Sequence, residues 1–127
     1  MLLTGCFIFF FFSCVKSGHK YIYIKNDSNI DLMGYVYFID SFLCIDKMNI
    51  DKSKIIQSNS TYEQSAYTNC SWENCNFNSY PIQYCYLIPI DTLRKYPCDS
   101  IWKYKKYTRK IITLDSMYKY NWTITYP

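Results

Sequence analysis

The chain has 127 residues, of which 50% are hydrophobic, 20% are aromatic and 19% are charged, and its formal net charge is +4. This length suits one domain rather than two, and the hydrophobic content argues against global disorder. The charge excess is too weak by itself to indicate nucleic-acid binding. With 15 Tyr against 8 Phe and 3 Trp, the chain is rich in a residue type that suits strands and half-buried surfaces.

The first segment, residues 1–13, is predicted to be a lipoprotein signal peptide. Residues 2–12 carry no charge, and every charged residue of the chain lies after Cys14. This uncharged stretch is too short to cross a bilayer as a helix, which needs about 20 residues, but it matches the apolar region of a secretory signal.

Two stretches resemble the bacterial lipobox: LLTGC, which ends at Cys6, and FFSC, which ends at Cys14. Cys14 is preferred because an apolar run precedes it and the polar stretch VKSGHK follows it. We therefore expect Cys14 to carry lipid, residues 14–19 to form a tether, and residues 20–127 to form a single β-rich domain. A cleaved signal without lipid and a buried N-terminal strand are the alternatives.

Alternating aromatic and aliphatic residues predict the first two strands, around residues 21–24 and 35–38, with a turn of Asn, Asp and Ser at residues 26–29. A short candidate strand lies at residues 54–57, in an interval that is otherwise polar and weakly patterned. Residues 68–81, TNCSWENCNFNSYP, are rich in Asn and Ser and are predicted to form a long loop.

Three further strands are predicted in the C-terminal half. Residues 82–90, IQYCYLIPI, form a nearly continuous apolar run that is typical of a central strand. The stretches TRKIITL at residues 108–114 and NWTITYP at residues 121–127 predict the other two.

Three short helices are expected between these strands, with Asp91, Asp99 and Asp115 at their starts as N-caps. Because only three glycines are present, we expect turns to use Asn and Asp or longer loops. The elements together predict a mainly β fold, a small antiparallel β-sandwich of immunoglobulin-like type with short helices in the C-terminal half.

The stretches LIPIDTLRKY and KKYTRKIITLDSMYKYNWTITYP, with a Trp-containing helix between them, carry a specific pattern. They resemble the ending of a family of small lipoproteins from Bacteroides and relatives that have no established activity. The residues that match this ending are Asp91, Thr92, Leu93, Arg109, Thr113, Leu114, Asp115, Asn121, Trp122, Thr123, Ile124, Tyr126 and Pro127, while Met117 stands where Leu is usual. The resemblance implies a periplasm-facing or surface-facing lipoprotein and implies no catalytic residues.

Five of the seven cysteines lie beyond residue 14, at Cys44, Cys70, Cys75, Cys85 and Cys98. In an oxidising envelope Cys70 and Cys75 are close enough in sequence to form a disulfide. An odd number leaves at least one thiol free or in an intermolecular bond, and a fully reduced set is the alternative. No metal site is predicted, because the Cys70–Cys75 spacing is wider than that of common zinc ligands and no histidine follows.

Catalytic residues are not assigned from the sequence, and no cofactor is expected. The only histidine, His19, is interpreted as a solvated residue of the tether. The carboxylates are scattered, and no glycine-rich phosphate loop is present.

The interval 94–110 holds seven Lys and Arg residues against Asp99 alone, interleaved with Tyr96, Trp102, Tyr104 and Tyr107. It fits a patch for anionic lipid, acidic glycan or nucleic acid, or an amphipathic helix whose Ile101, Trp102 and Tyr104 face the core. The second interpretation is preferred. Trp122 is likewise interpreted as a core anchor, with sugar stacking as the alternative.

The sequence thus predicts an outer-membrane lipoprotein held on the membrane by a lipid anchor, with a non-catalytic structural or interaction role. Its expected partners are envelope proteins or glycans, and not nucleic acid. The alternative function is carbohydrate binding through Trp102, Tyr104 and Tyr107 as ligand-contact aromatics. A flat, solvent-facing row of these three rings would favour sugar binding, and their burial would favour the structural role.

Overall fold

A computed structural model describes residues 18–40, 54–67 and 69–127 of the chain. In chain order the strands are β1 (Tyr21–Asn26), β2 (Leu32–Tyr37), β3 (Ile55–Ile56), β4 (Thr61–Ser65), β5 (Ile82–Pro89), β6 (Thr108–Thr113) and β7 (Thr123–Tyr126). The predicted signal peptide, Cys6 and the predicted anchor Cys14 lie outside the described residues. Within the described part, no helix is long and apolar enough to cross a bilayer.

The strands form two sheets, one in the order β4-β1-β7 and one in the order β3-β2-β5-β6. The mainly β fold, a small β-sandwich with a few short helices, confirms the prediction. Every pair is antiparallel except β1 and β7, which run parallel. The predicted short strand at residues 54–57 is β3, and β4 was not predicted because its sequence, TYEQS, is polar.

The main hydrophobic core lies between the two sheets. Alternation along each strand decides its members, since a side chain points to the opposite face at each step. Ile22 and Ile24 of β1 are fully buried, as are Cys85 and Leu87 of β5. Burying an Ile or Leu side chain contributes about 1.5–3 kcal/mol relative to leaving it exposed. Trp122, the predicted core anchor, belongs to this cluster.

A second, smaller core covers the outer face of the β3-β2-β5-β6 sheet. Tyr86 and Ile88 alternate with the inward residues of β5 and are also fully buried. Two short helices, α1 (Ile90–Lys95) and α2 (Cys98–Lys103), follow β5 directly, and Ile101 of α2 packs against these side chains. Burial on both faces explains the nearly continuous apolar run of β5.

The three C-terminal helices are present, but the predicted aspartate N-caps are wrong. Pro89 and Pro97 are the N-cap residues of α1 and α2, and neither helix has a side-chain cap. Thr113 caps the third helix, α3 (Leu114–Lys119), and forms a capping box with Ser116. Asp91, Asp99 and Asp115 lie in the first turns instead. There a negative charge still favours the helix through its dipole.

The interval 68–81, predicted to be a loop, contains a π-helical segment, Trp72–Phe77. Ser71 caps this segment by accepting a hydrogen bond from the Asn74 N–H group. Its two apolar side chains, Trp72 and Phe77, are buried in the main core. The Asn-rich composition of the interval predicts a loop, and a helix of about one turn is too short to show a helical pattern. The burial of these two side chains was therefore not predicted. Asparagine does supply tight turns elsewhere, with positive φ at Asn59, Asn69 and Asn121.

Candidate functional site

The three aromatic residues predicted as ligand contacts do not form a flat row. Trp102 lies edge-on to Tyr107, with ring centroids 5.1 Å apart and an interplanar angle of 68°. Both rings also lie edge-on to the buried Tyr86. Only Tyr104 stands out, with 62% of its surface exposed. The geometry therefore favours the structural interpretation of this patch.

The basic cluster at residues 94–110 follows the same interpretation. Ile101 is buried in the smaller core, while Lys103 and Lys105 are exposed. The Lys106 ammonium lies 4.2 Å from the centre of the Tyr96 ring, within the range of a cation–π contact. The ammonium group of Lys106 in the cluster is thus already in contact with a tyrosine ring of the protein.

Cysteines serve structural roles in the described part of the chain. Cys70 and Cys75, the predicted pair, are joined by a disulfide with their Cα atoms 6.0 Å apart. Cys98 is also disulfide-bonded. Cys85 is a free thiol buried in the main core, and burial raises its pKa to about 12. A thiol in that state is a poor nucleophile at neutral pH.

One cluster of charged and polar residues joins the end of β2 to β6. The Asp40 carboxylate accepts hydrogen bonds from the Tyr86 hydroxyl and, at 2.6 Å, from the Arg109 guanidinium. These two donors hold the pKa of Asp40 below its ordinary value. Because both partners favour the ionised carboxylate, the cluster is suited to a structural role rather than to proton transfer.

A second cluster surrounds His19, which the sequence analysis places in a solvated tether. The His19 ring instead stacks on Trp122 at 4.1 Å, with an interplanar angle of 13°. Its Nδ1 atom lies 2.5 Å from Glu73 Oε1, and its backbone N–H group donates to Glu73 Oε2 at 2.8 Å. Tyr118 donates to the same carboxylate at 3.2 Å. The end of the predicted tether is thus fastened to the domain.

A group of exposed aromatic side chains lies elsewhere, at the junction of β2, the π-helical segment and β5. The Phe38 ring stacks between two tyrosines, 4.9 Å from Tyr37 at 24° and 4.5 Å from Tyr80 at 29°. Phe38 and Tyr80 are 40% and 48% exposed, and the nearby Tyr67 is 78% exposed. Large rings in such positions leave a substantial apolar surface in contact with water.

These rings line an open cavity of about 460 Å³, which we call the aromatic groove. Its described lining residues are Phe38, Tyr67, Asn74, Cys75, Asn76, Ser79, Tyr80 and Gln83. None of them is charged at neutral pH. A neighbouring concavity of about 390 Å³ shares four of these residues and adds Lys54 among others.

Local hydrogen bonds hold the walls of the aromatic groove in place. The Asn76 side chain accepts from the Tyr67 N–H group at 3.3 Å, and the Asn76 carbonyl accepts from the Tyr80 N–H group at 2.9 Å. Asn76 thus positions both Tyr67, which precedes it in the chain, and Tyr80, which follows it. Cys75 also lines the groove, so the disulfide to Cys70 restrains the same segment.

Sequence reasoning missed this site because its parts are distant in the chain. Phe38 follows β2, while Tyr67 directly precedes the interval interpreted as a loop and Tyr80 lies near its end. The available signal was composition, since that interval combines Asn, Ser and aromatic residues around two cysteines. Which of these residues meet was decided by the pairing of β2 with β5.

Comparisons of the chain with protein-family models, with curated proteins and with solved structures gave no significant match. The described residues also hold no group of three or more His, Cys, Asp or Glu side chains placed to bind a metal ion.

Proposed function

We propose that this chain is a lipid-anchored protein of the cell envelope, held on the outer membrane through Cys14, and that it acts as a non-catalytic interaction module. Its contact surface is the aromatic groove. The observation that carries this proposal is the exposure of Phe38, Tyr67 and Tyr80 around a cavity whose described lining residues are uncharged. Aromatic side chains of this kind dominate the energetics of binding surfaces.

The way in which the reactive residues are used supports a non-catalytic role. Cys85 is a buried thiol with a raised pKa, and His19 is clamped between Trp122 and Glu73. The bond from His19 to Glu73 and the stacking on Trp122 fasten the ring to the domain. These groups are better suited to stabilising the fold than to a reaction.

The lipid anchor rests on the sequence. The uncharged stretch at residues 2–12 ends close to Cys14, and the C-terminal pattern resembles that of small envelope lipoproteins. A single acyl chain binds a membrane only marginally, so stable anchoring requires more than one chain on the protein.

Intact mass and membrane partition test the anchor in a Bacteroides-type host. We expect the wild-type protein to lose residues 1–13, to gain the mass of more than one acyl chain and to fractionate with membranes. Cys14→Ala should yield a protein without acyl chains that no longer fractionates with membranes, and Cys6→Ala, the matched control, should behave like the wild type. If neither substitution changes the mass or the partition, the anchor is wrong.

A further inference from the structure

From the chemistry of the aromatic groove we infer its ligand class: the groove binds a neutral glycan, with one sugar ring stacked on Tyr80 and its hydroxyls bonded by the surrounding amides. This inference rests on the proposed function, because it names the partner of the same surface. The steps that lead to it concern charge, ring exposure, hydrogen-bonding capacity and rigidity.

Charge selects against ionic ligands. The described residues that line the aromatic groove are aromatic rings, amides, a hydroxyl and a disulfide sulfur. An anionic or cationic ligand would lose hydration there and would find no opposite charge among these described residues, and such desolvation is costly. A neutral polar ligand avoids this cost.

Ring exposure supplies a stacking platform. Phe38 covers one face of the Tyr80 ring, and about half of Tyr80 remains exposed, so the opposite face is open to a ligand. The face of an aromatic ring carries partial negative charge. The C–H groups on one side of a pyranose ring carry partial positive charge and lie nearly in a plane, so they match that face. Tyr67, on the other wall of the groove, offers a second ring.

The polar lining matches hydroxyl groups. Asn74 is exposed and Asn76 is half-buried, and each carries an amide with both donors and acceptors, while the exposed Ser79 adds a hydroxyl. A sugar hydroxyl also donates and accepts, so such a set can bond several hydroxyls at once. A volume of about 460 Å³ falls within the ordinary range of small-ligand sites.

Rigidity reduces the entropic cost of binding. The Cys70–Cys75 disulfide and the Asn76 hydrogen bonds fix the segment that carries Tyr67 and Tyr80 before any ligand arrives. Pre-organised sites lose less conformational entropy on association. The disulfide therefore has a binding role as well as a stabilising one.

The test is calorimetric titration of the full chain, kept in a detergent without sugar headgroups. The probes are three neutral oligosaccharides, cellotetraose, mannotetraose and N-acetylchitotetraose, and one acidic oligosaccharide, tetragalacturonate. At least one neutral probe should bind. Tyr80→Ala and Tyr67→Ala should each weaken that binding at least about tenfold, as expected for the loss of an aromatic anchor. Tyr104→Ala, an exposed tyrosine outside the groove, should leave it unchanged.

Tetragalacturonate should bind at least about tenfold more weakly than the best neutral probe, and binding of that neutral probe should not depend on salt. Failure of all three neutral probes, or equal losses for Tyr80→Ala and Tyr104→Ala, would overturn the glycan assignment. A parallel assay of binding to envelope fragments separates the two proposals. If that binding depends on Tyr80 while glycans do not bind, only the ligand class is wrong. If Tyr80→Ala leaves it unchanged, the proposed function is wrong as well.

Discussion

Asn26 shows at the residue scale how a turn residue acquires a second role through tertiary structure. Its side-chain oxygen accepts from the backbone N–H and hydroxyl of Ser28, as the Asn-Asp-Ser-Asn pattern predicts for a turn. Its side-chain nitrogen donates to the carbonyls of Ile30 and of Ile56 in β3. The contact with Ile56 ties the β1–β2 turn to β3, and no local pattern predicts it because the partner is distant in sequence.

Glu73 gives a pH-dependent prediction at the same scale. Burial by itself raises the pKa of Glu73, but the hydrogen bond with the His19 side chain, together with backbone N–H groups and the Tyr118 hydroxyl, outweighs it and lowers the pKa. Between this lowered value and the ordinary value of 4.5, the unfolded chain binds more protons than the folded one. The stabilisation by Glu73 is therefore complete above pH 4.5 and is lost as the pH falls through the folded pKa.

We expect Glu73→Gln to lower the free energy of unfolding at pH 7 by about 1–3 kcal/mol, since hydrogen bonds to a charged acceptor are lost. The variant should also show a smaller acid-induced loss of stability than the wild type. Urea unfolding followed from pH 7 to pH 3 measures both quantities. Glu63→Gln, on the exposed side of β4, is the matched control and should change little. An identical pH profile for Glu73→Gln and wild type would contradict this role for Glu73.

The element scale shows how the two sheets are joined where a strand is too short. β3 pairs only with Leu32 and Met33, so among the described residues the rest of the β2 edge has no strand partner on that side. The Gln64 side chain of β4 completes this edge. Its amide nitrogen donates to the Val36 carbonyl at 2.9 Å, and its amide oxygen accepts from the Val36 N–H group at 2.7 Å. The Gln64 side chain thus satisfies the backbone groups of Val36 that a neighbouring strand would otherwise bond, and it connects the two sheets.

Gln64→Ala should therefore destabilise the protein more than a surface substitution in a strand. Losing both bonds leaves two partly buried backbone groups of Val36 without their partner, and we expect a cost of about 1–3 kcal/mol. Urea unfolding measures the cost, and hydrogen exchange at the Val36 amide locates it. Glu63→Ala, one residue away and exposed, is the control. Unchanged protection of the Val36 amide in Gln64→Ala would show that the bond does not form.

The positions of the three C-terminal helices were predicted correctly, but their N-cap residues were not. The sequence offered an aspartate near each start, but the chain enters α1 and α2 from Pro89 and Pro97, which act as the N-caps. At α3 the strand β6 ends in Thr113, whose extended backbone is already that of an N-cap residue. The ends of β5 and β6 therefore decided the caps of α1 and α3, and composition alone does not show where a strand ends.

At the scale of the whole molecule, the distribution of apolar residues was enough to predict most strands and the sandwich class. Alternation predicted β1 and β2, a nearly continuous apolar run predicted β5, and the stretches TRKIITL and NWTITYP predicted β6 and β7, because each of these strands has buried side chains. They missed β4, which buries none of its side chains fully. The parallel pairing of β1 with β7 was also missed, since it joins opposite ends of the described chain and depends on topology.

The candidate site was harder to predict for the same reason. The sequence points to five aromatic residues between positions 96 and 122 because they are close in the chain, yet Trp102, Tyr107 and Trp122 serve the packing of the domain. The aromatic groove draws its rings from three segments that only the fold brings together. Exposure separates the packed rings of Trp102, Tyr107 and Trp122 from the rings of the aromatic groove, and exposure is a property of the folded molecule.

Hydroxyl-radical footprinting of the protein in envelope preparations of the expressing host, compared with the protein released from them, tests the central claim most directly. If the aromatic groove is the contact surface, as we propose, Tyr67 and Tyr80 should be protected from oxidation in the envelope and become reactive on release. Tyr104, with a similar exposure but outside the groove, should be oxidised equally in both states. Protection of Tyr104 with full oxidation of Tyr67 and Tyr80 would contradict the account and move the contact surface to the basic cluster.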